Sequence, residues 1–310
     1  MNYKMTTIRE IIGDVLCEEA VHNDNIYVID SDLAKSTTTN KFKDKFPNRF
    51  VETGIAEQNA VSIATGIAQE GKIPFYVNFA IFVSGTAWTQ VRQACYANQN
   101  IKLIATHPGM DGGYDGASHH ANEDIALMRS LPNMCVLVPS NQDEFRACVK
   151  LALAHQGPVY IRAARDVVPD VPSTIEANIG SSYLLQDHGD DYAIVYEGSA
   201  TALAFASFES MDNEGIHGKL INVFSIKPLD EALILHVAAK VKVILTIENH
   251  SIIGGLGGCI AEVLAKNTQH APLVRIGVED CFTESGPSEQ IKDKYGLNVT
   301  HVMQEIKKYV

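Results

Sequence analysis

The sequence predicts an α/β fold built from two doubly wound domains, and two observations lead to this prediction. Short apolar runs of strand length alternate with longer segments of helical character along the whole chain. Strands that are apolar on both faces and separated by crossover helices are typical of parallel sheets covered by helices on both sides. The length of 310 residues is also sufficient for about two domains of ordinary size.

Residues 1–172 are predicted to form the first domain. The expected strands are residues 26–29, 73–77, 101–105, 134–138 and 159–162. The expected helices are residues 8–22, 57–70, 87–99 and 143–155. In sheets of this kind ligands bind where the strands end and the loops begin.

A change of character after Pro169 and Pro172 predicts the end of the first domain. The polar residues 173–191 are interpreted as a linker, and residues 192–310 as a smaller α/β domain. Its expected strands are residues 192–196, 219–224 and 241–247, with helices over 201–211, after 254–258 and at the C-terminus. The glycine-rich run 254–258 lacks the spacing of a phosphate-binding loop, so we expect a turn that lets a helix pack closely.

Composition excludes several classes of function. A net charge of −12 with no Lys/Arg-rich segment argues against nucleic-acid binding. No apolar run is long enough to span a membrane, and the N-terminus lacks the apolar core of a secretory signal. The six cysteines are far apart and form no Cys-x-x-Cys pair, which is typical of free thiols in a reducing compartment. We therefore expect a cytoplasmic protein without a membrane or nucleic-acid partner.

Glu57 is the most informative residue of the chain. It follows a Gly turn and precedes a helix rich in small residues. One interpretation is an acid at a helix N-terminus, where the macrodipole favours negative charge. The other is a buried acid that is costly to keep charged and can therefore share a proton with a ligand. The local pattern leaves both open.

A polar, glycine-rich segment, residues 107–120, follows the strand expected at 101–105. It contains His107, Asp115, His119 and His120 among four glycines, and it lies at the carboxyl edge of the predicted sheet. A metal site is one interpretation, but no His or Cys spacing supports it. Hydrogen bonding to a polyhydroxy substrate is more natural, because imidazoles donate, accept and carry protons near neutral pH.

Two further groups could serve a ligand. Phe79 and Phe82 lie three residues apart, and such a pair either packs in a core or forms a stacking slot for a flat heteroaromatic ring. Arg9, Arg162 and Arg165 could bind phosphate through their planar guanidinium groups or could lie on the surface. Arg165, at the carboxyl end of a predicted strand, has the best position.

Together these segments resemble the transketolase family of thiamine diphosphate enzymes, over nearly the whole chain. The motifs that carry the resemblance occur in the family's order: residues 30–36, 53–59, 79–82, 107–119, 129–133 and 248–250. The resemblance implies a parallel-sheet pyrimidine-binding domain followed by a smaller, mixed-sheet C-terminal domain. The Gly-Asp-Gly motif of the family's diphosphate-binding domain does not occur in the sequence. The chain is therefore expected to be one subunit of a split transketolase.

The resemblance assigns cofactor contacts to five residues. Glu57 matches the acid whose hydrogen bond to N1′ of the aminopyrimidine favours the imino tautomer, and Phe79 and Phe82 match aromatic residues that pack against that ring. Asp32 and Ile55 are expected beside the cofactor. Gly85 departs from the pattern, because transketolases often carry a tyrosine there.

The resemblance also assigns the substrate site. His107, Asp115 and His119 match residues that bind sugar hydroxyls, and the two histidines, with Glu57, are the expected catalytic groups. The terminal phosphate of the sugar is expected at Arg9, Ser36 and Arg165. No metal ligand is expected in this chain.

The implied function is transfer of a two-carbon ketol unit between sugar phosphates, with pentose-phosphate metabolism as the default role. The implied cofactors are thiamine diphosphate and Mg²⁺, the latter bound mainly by a partner subunit that carries the diphosphate-binding domain. An α₂β₂ heterotetramer is the expected assembly.

Three alternatives remain open at this point. Deoxyxylulose-phosphate synthases typically carry an acid where His107 stands, and the β subunits of 2-oxo acid dehydrogenases lack the His-rich glycine loop. A non-catalytic, partner-binding paralogue would not need Glu57, His107, Asp115 or His119.

Overall fold

The computed structural model describes residues 3–171 and 177–310. It confirms the predicted fold class, with one sheet of mainly parallel strands and a second, smaller mixed sheet. The strands within the described residues are β1 Met5–Thr6, β2 Ile26–Asp30, β3 Phe50–Glu52, β4 Ile73–Phe79, β5 Lys102–Thr106, β6 Cys135–Leu137, β7 Val159–Ala163, β8 Val168–Pro169, β9 Tyr183–Asp187, β10 Ala193–Tyr196, β11 Lys219–Asn222, β12 Ser225–Lys227, β13 Ile244–Ser251 and β14 Leu273–Val278.

Helices cover both sheets. They are α1 Ile12–His22, α2 Ala34–Thr37, α3 Asn40–Lys45, α4 Glu57–Gln69, α5 Trp88–Tyr96, α6 Asp124–Arg129, α7 Gln142–Ala154, α8 Thr201–Asn213, α9 Glu231–Ala238, α10 Leu256–Leu264, α11 Ser288–Lys294 and α12 Val299–Ile306. A π-helical turn, Phe82–Thr86, precedes α5, and a 3₁₀ segment, Met110–Asp115, follows β5.

The first sheet has the strand order β12-β6-β7-β5-β4-β2-β3. All neighbours pair in parallel except β12, which runs antiparallel to β6. Every residue of β5 and β7 is buried, which explains why these strands read as continuous apolar runs: helices cover both faces. The carboxyl ends of β2, β4, β5 and β7 meet at one edge of the sheet.

The second sheet has the order β14-β13-β10-β11-β9, and only β9 is antiparallel to its neighbour. Strand β9 lies within the segment 173–191 that the sequence predicts as a linker. That segment therefore contributes a strand to the second sheet, while residues 172–176 lie outside the described residues. The domain boundaries themselves stay predictions.

The two halves of the chain are not separate cores. Strand β12, from the second half of the sequence, completes the edge of the first sheet. One apolar cluster joins Val136 and Tyr160 of the first sheet to Val195, Ile221 and Leu256 of the second half. The first sheet and its edge loops are therefore braced by the C-terminal half.

The glycines after β13 permit the close helix packing that the sequence predicts. A Cβ on Gly255 would come within 2.0 Å of a Glu248 oxygen, and one on Gly257 within 2.7 Å of Thr246. Helix α10 thus sits against β13 at a distance that only glycine allows.

Candidate functional site

A cleft of about 390 Å³ opens at the carboxyl edge of the first sheet, beside the loops that follow β2, β3 and β4. It is lined by Ser31, Asp32, Leu33, Ile55, Glu57, Phe82 and Thr86. Four of these residues, Asp32, Ile55, Glu57 and Phe82, are among the five for which the resemblance implies cofactor contact; the fifth, Phe79, does not line the cleft. They come from three separate loops, so their meeting at one cleft is a consequence of the fold.

Glu57 is the first residue of α4, where its negative charge faces the positive end of the helix dipole. Its side chain is only half-buried, so the expectation of a buried acid is wrong for this chain as it stands. The physical reason is that Glu57 lies at the mouth of an open cleft rather than inside an apolar core. Ile55, beside Glu57, is 80% exposed. An exposed apolar side chain next to a cleft is typical of a surface that takes part in binding.

Phe82 presents the aromatic surface of the cleft. It is half-buried at the start of the π-helical turn, and π-turns are frequent at functional sites. Phe79 is buried behind it, with the two ring centroids 6.0 Å apart and the ring planes within 10° of parallel. At Gly85 a side chain would meet nothing within 4 Å, so the space that a tyrosine would fill is open in this chain.

His107 follows β5 and packs directly against Phe79, with their ring centroids 3.8 Å apart. Its Nδ1 lies 2.9 Å from the Oγ1 of Thr106, which orients the imidazole. Burial lowers the pKa of His107 to about 3, and the positive charges of Arg165 and Arg9 add to this effect. The imidazole is therefore neutral at physiological pH and can both donate and accept a hydrogen bond.

His119 closes the same aromatic cluster. Its ring lies edge-on to Phe82 at 5.4 Å and to Phe79 at 6.4 Å between centroids. Its Nδ1 is 2.9 Å from the hydroxyl of Ser118. Asp115 lies on the same loop, exposed at the end of the 3₁₀ segment. The fold thus brings both histidines to the aromatic residues, while Asp115 lies at the solvent side.

The residues expected to bind phosphate also lie near one another. Nη1 of Arg9 donates to the backbone oxygen of Ser36 at 3.4 Å, and the backbone N–H of Arg9 donates to Ala164 at 3.3 Å. This places Arg9 between Ser36 and Arg165. The Nε of Arg9 is buried and has no hydrogen-bond partner within the described residues. A buried donor without a partner is costly, and a bound anion would satisfy it.

Arg162 does not belong to this site. Its side chain is fully buried and forms a two-pronged ion pair with Asp124 and a second ion pair with Glu197. It also donates to the backbone oxygen of Asn249 at 2.9 Å. The interpretation of Arg162 as a phosphate ligand is therefore wrong, because these contacts hold its side chain in the junction of the two halves.

Sequence reasoning missed the residues of the C-terminal half that hold residues 107–120 in place. Asn249 donates to the carboxylate of Asp111 at 2.7 Å, and its own side-chain oxygen accepts from the N–H of Met110 at 3.0 Å. The hydroxyl of Thr283 lies 2.6 Å from Nδ1 of His120. Lys292 also donates to Asp111, at 2.8 Å. Asn249 lies in the motif 248–250, but nothing local in the sequence marks Thr283 or Lys292.

Residues 3–171 and 177–310 contain neither a candidate metal centre nor a candidate membrane-spanning helix. No group of three or more His, Cys, Asp or Glu side chains is placed to hold a metal ion. No helix in these two ranges combines the length and the apolar character that crossing a membrane requires.

Comparison with known protein families gives two matches. Residues 4–170 match the transketolase pyrimidine-binding domain, and residues 180–302 match the transketolase C-terminal domain. A putative transketolase C-terminal section from Methanocaldococcus jannaschii is 37% identical, covering 97% of this chain and 96% of that protein. A 6-deoxy-6-sulfo-D-fructose transketolase subunit from a Clostridium species is 36% identical over 96% of this chain and 92% of its own length.

Among solved structures, a split-gene transketolase described as an inactive β4 tetramer superposes with a TM-score of 0.88. It is 41% identical in sequence, and the match covers 99% of this chain and 98% of that one. A 1-deoxy-D-xylulose-5-phosphate synthase from Acidobacterium capsulatum is 31% identical over 98% of this chain, which spans only 49% of that enzyme.

Proposed function

The chain belongs to the transketolase family, and on that basis we propose that it is the pyrimidine-binding subunit of a split, thiamine diphosphate-dependent transketolase. The proposed reaction transfers a two-carbon ketol unit between sugar phosphates. Relatives matched over almost their full length support the split organisation, because they are a transketolase C-terminal section and a split-gene transketolase. The observation that carries the proposal is the cleft in which Glu57 meets Phe82, Ile55 and Asp32.

The cleft fits the aminopyrimidine part of the cofactor. It offers an aromatic face in Phe82, an apolar side chain in Ile55 and a carboxylate in Glu57, within a volume of about 390 Å³. A flat, hydrogen-bonding heteroaromatic ring needs these three kinds of group. Thiamine diphosphate, when bound, supplies the carbon nucleophile and the electron sink that ketol transfer requires.

The proposal assigns a task to each candidate site residue of this chain. Glu57 holds a proton shared with the ring nitrogen of the aminopyrimidine, and the partner's wall excludes water from that contact. His107 is neutral, so it can donate to or accept from a sugar hydroxyl without introducing a charge. His119, Asp115 and Ser118 lie on the same loop and can contact further hydroxyls.

The sugar phosphate is proposed to bind with its terminal phosphate at Arg9, Ser36 and Arg165. Arg9 offers a buried donor that lacks a partner within the described residues, and Arg165 presents a half-exposed guanidinium. Planar guanidinium groups bind phosphate oxygens through charge-assisted hydrogen bonds. Sugar phosphates of pentose-phosphate metabolism are the default substrates to assay. A second set of ketose donors is assayed beside them, because one relative is named for a different sugar, 6-deoxy-6-sulfo-D-fructose.

We further propose that a separate N-terminal subunit supplies the diphosphate-binding domain and most of the Mg²⁺ ligands, in an α₂β₂ assembly in the cytoplasm. The exposed Ile55 and the half-exposed Glu57 support this arrangement, because the cleft lacks an opposite wall.

A deoxyxylulose-phosphate synthase-like activity is the second candidate, since such a synthase is among the relatives. His107 argues against it: an imidazole packed on Phe79 occupies the position where those synthases typically carry an acid. The His-rich glycine loop, residues 107–120, argues against a dehydrogenase β subunit, which lacks such a loop. The presence of Glu57, His107, Asp115 and His119 argues against a non-catalytic paralogue.

The proposal is tested by reconstitution. The purified chain, a diphosphate-domain subunit, thiamine diphosphate and Mg²⁺ are combined, and ketol transfer is followed with phosphorylated ketose donors and aldose acceptors. We expect turnover only when both subunits are present, with each subunit alone as the control. Turnover by this chain alone would reject the split organisation. In a parallel assay with pyruvate and glyceraldehyde 3-phosphate, release of CO₂ together with formation of deoxyxylulose 5-phosphate, without ketol transfer, would favour the synthase instead.

A further inference from the structure

A charge cluster joins the C-terminal half to Arg165. Nζ of Lys292, on α11, donates to Oδ1 of Asp111 and to Oδ2 of Asp166, both at 2.8 Å. Asp111 is fully buried and Asp166 is 21% exposed, while Lys292 itself is 17% exposed. Lys292 therefore bridges two carboxylates of the first domain. Asp166 directly follows Arg165, and Asp111 lies on the loop after β5.

Asp111 fixes the backbone of the Arg165 segment. Its Oδ2 accepts from the backbone N–H groups of Arg165 and Asp166 at 3.1 and 3.2 Å. Its backbone oxygen accepts from Nη1 of Arg165 at 2.8 Å. Burial acts to raise the pKa of Asp111, but the charge and hydrogen bond of Lys292 outweigh it and hold that pKa below its ordinary value. Asp111 is therefore ionised and holds the loop.

Asp166 lies beside the guanidinium of Arg165. Its Oδ1 lies 3.9 Å from Nη1 of Arg165, close enough for attraction but beyond hydrogen-bond length. Its Oδ2 is taken by Lys292 and by the hydroxyl of Ser288. Burial and the charge of Asp111 raise the pKa of Asp166, which shows how unfavourable two neighbouring carboxylates are at this point. Without Lys292, Arg165 would be the cation left beside the carboxylate of Asp166.

We propose that Lys292 is a positioning residue for phosphate selectivity: it neutralises Asp111 and Asp166 so that the guanidinium of Arg165 stays available for the phosphate of the sugar. The cluster consists of the acids Asp111 and Asp166 and the cations Lys292 and Arg165. The guanidinium of Arg165 donates one hydrogen bond to the backbone oxygen of Asp111. The inference rests on the proposed function, since it assigns a supporting residue to the same phosphate site. It also gives the C-terminal half a role in substrate choice.

Loss of the lysine charge redirects Arg165. In Lys292→Met the two carboxylates draw the guanidinium toward Asp166, a movement of about 1 Å that converts the present 3.9 Å approach into a hydrogen-bonded pair. A hydrogen bond to a charged group is worth about 1.5–3 kcal/mol, and each 1.4 kcal/mol is about tenfold in affinity. The KM for phosphorylated sugars should therefore rise at least about tenfold.

The test compares a phosphorylated ketose donor with the unphosphorylated ketose of the same skeleton, in the complex reconstituted with the diphosphate-domain subunit. For Lys292→Met we expect the ratio of kcat/KM values, phosphorylated over unphosphorylated, to fall at least about tenfold through KM. Adding Asp166→Asn should restore the ratio to within about threefold, because it removes the competing charge. Lys292→Arg should retain the wild-type ratio.

Lys294→Met is the matched control. Lys294 ends the same helix α11, is exposed and pairs with Glu284, so its loss should leave the ratio unchanged. If Lys292→Met does not yield a folded complex, Lys292→Gln takes its place. The same fall in the kcat/KM ratio and the same recovery on adding Asp166→Asn are then expected. An unchanged ratio, or a fall that Asp166→Asn does not reverse, would overturn the inference.

The experiment distinguishes failure of the proposed function from failure of the role proposed for Lys292. A wild-type complex without ketol transfer overturns the proposed function. A wild-type complex that prefers phosphorylated donors, and that loses this preference in Arg165→Ala but not in Lys292→Met, overturns only the role of Lys292.

Discussion

Replacing Arg162 with methionine should destabilise the chain strongly, because Arg162 neutralises two buried carboxylates. The side chains of Asp124 and Glu197 are 0% exposed, and that of Arg162 is 1% exposed. Nε and Nη2 of Arg162 donate to the two oxygens of Asp124 at 2.8 and 3.0 Å. Nη1 lies 3.2 Å from both oxygens of Glu197. Methionine fills much of the volume but leaves both acids without a cation.

The expected loss follows from these contacts. Removing one member of a buried ion pair costs about 3–5 kcal/mol. Tyr160 continues to donate to Asp124 at 2.7 Å, and the N–H of Asn249 to Glu197 at 3.1 Å, so neither acid is left without a hydrogen bond. We therefore expect the free energy of unfolding to fall by about 3–4 kcal/mol near pH 7. That is a large share of the about 5–15 kcal/mol by which proteins are stable.

The loss should depend on pH. Burial acts to raise the pKa of Asp124, but the charge and hydrogen bonds of Arg162 outweigh it and hold that pKa below its ordinary value. In Arg162→Met the charge of Arg162 no longer opposes burial, so the folded-state pKa of Asp124 rises above its unfolded value, and that of Glu197, which burial already raises in the wild type, rises further. The variant then takes up protons on folding and regains stability as the pH falls. The difference from wild type should shrink as the pH falls from neutrality toward about 4, the ordinary pKa of carboxyl groups in the unfolded chain.

Urea unfolding, followed by the fluorescence of Trp88, measures the free energy of unfolding of wild type and variants at each pH. Arg146→Met is the control, because Arg146 forms an exposed pair with Glu18 and such pairs contribute about 1 kcal/mol or less. Adding Asp124→Asn and Glu197→Gln to Arg162→Met should recover at least about half of the loss. The reasoning is refuted if Arg162→Met costs under about 1 kcal/mol, or if the triple variant is no more stable than the single one.

Two further predictions concern the cleft. Phe82→Ala should weaken thiamine diphosphate binding to the reconstituted complex about tenfold, since burying an aromatic ring contributes about 1.5–3 kcal/mol; an unchanged Kd in a fluorescence titration would remove Phe82 from the cofactor wall. His107→Asn should flatten the loss of stability at acid pH. Burial, with Arg165 and Arg9, lowers the folded-state pKa of His107 to about 3, so the unfolded chain binds the extra proton and wild-type stability falls below about pH 6.5. At about pH 5 the stability difference between variant and wild type should have shifted by about 2 kcal/mol in favour of the variant; parallel urea midpoints over this range would contradict the assignment.

The strands of the first sheet could be predicted because burial on both faces leaves continuous apolar runs. β4, β5 and β7 are such runs, and each begins or ends within two residues of its expected limits. Strand β12 could not be predicted, because its three residues give no local signal and its partner β6 lies almost 90 residues earlier. Strand β9 also could not be predicted, because this edge strand is short, mostly solvent-accessible and set in a polar segment, and it is recognised only by its pairing with β11.

The candidate site divides in the same way. Glu57, Phe82 and His107 carry local signals, and the fold gathers them at one edge of the sheet. The half-exposure of Glu57 could not be predicted, because the local run of small and apolar residues does not show how open the surrounding loops leave the cleft. Lys292 could not be found either, because its contact with Asp111 joins residues 181 positions apart. Only three-dimensional packing connects them.

Glu57→Gln in the reconstituted complex provides the most direct measurement. Glutamine keeps the size and the hydrogen-bonding capacity of the side chain but cannot share the proton, and such a loss typically costs about 10²–10⁴-fold in rate. Glu70→Gln, at the exposed C-terminal end of the same helix α4, is the matched control and should leave turnover unchanged. We expect Glu57→Gln to retain the fold and partner binding while losing at least about a hundredfold in ketol-transfer turnover. A rate within about threefold of wild type would contradict the assignment of the cleft as the cofactor site.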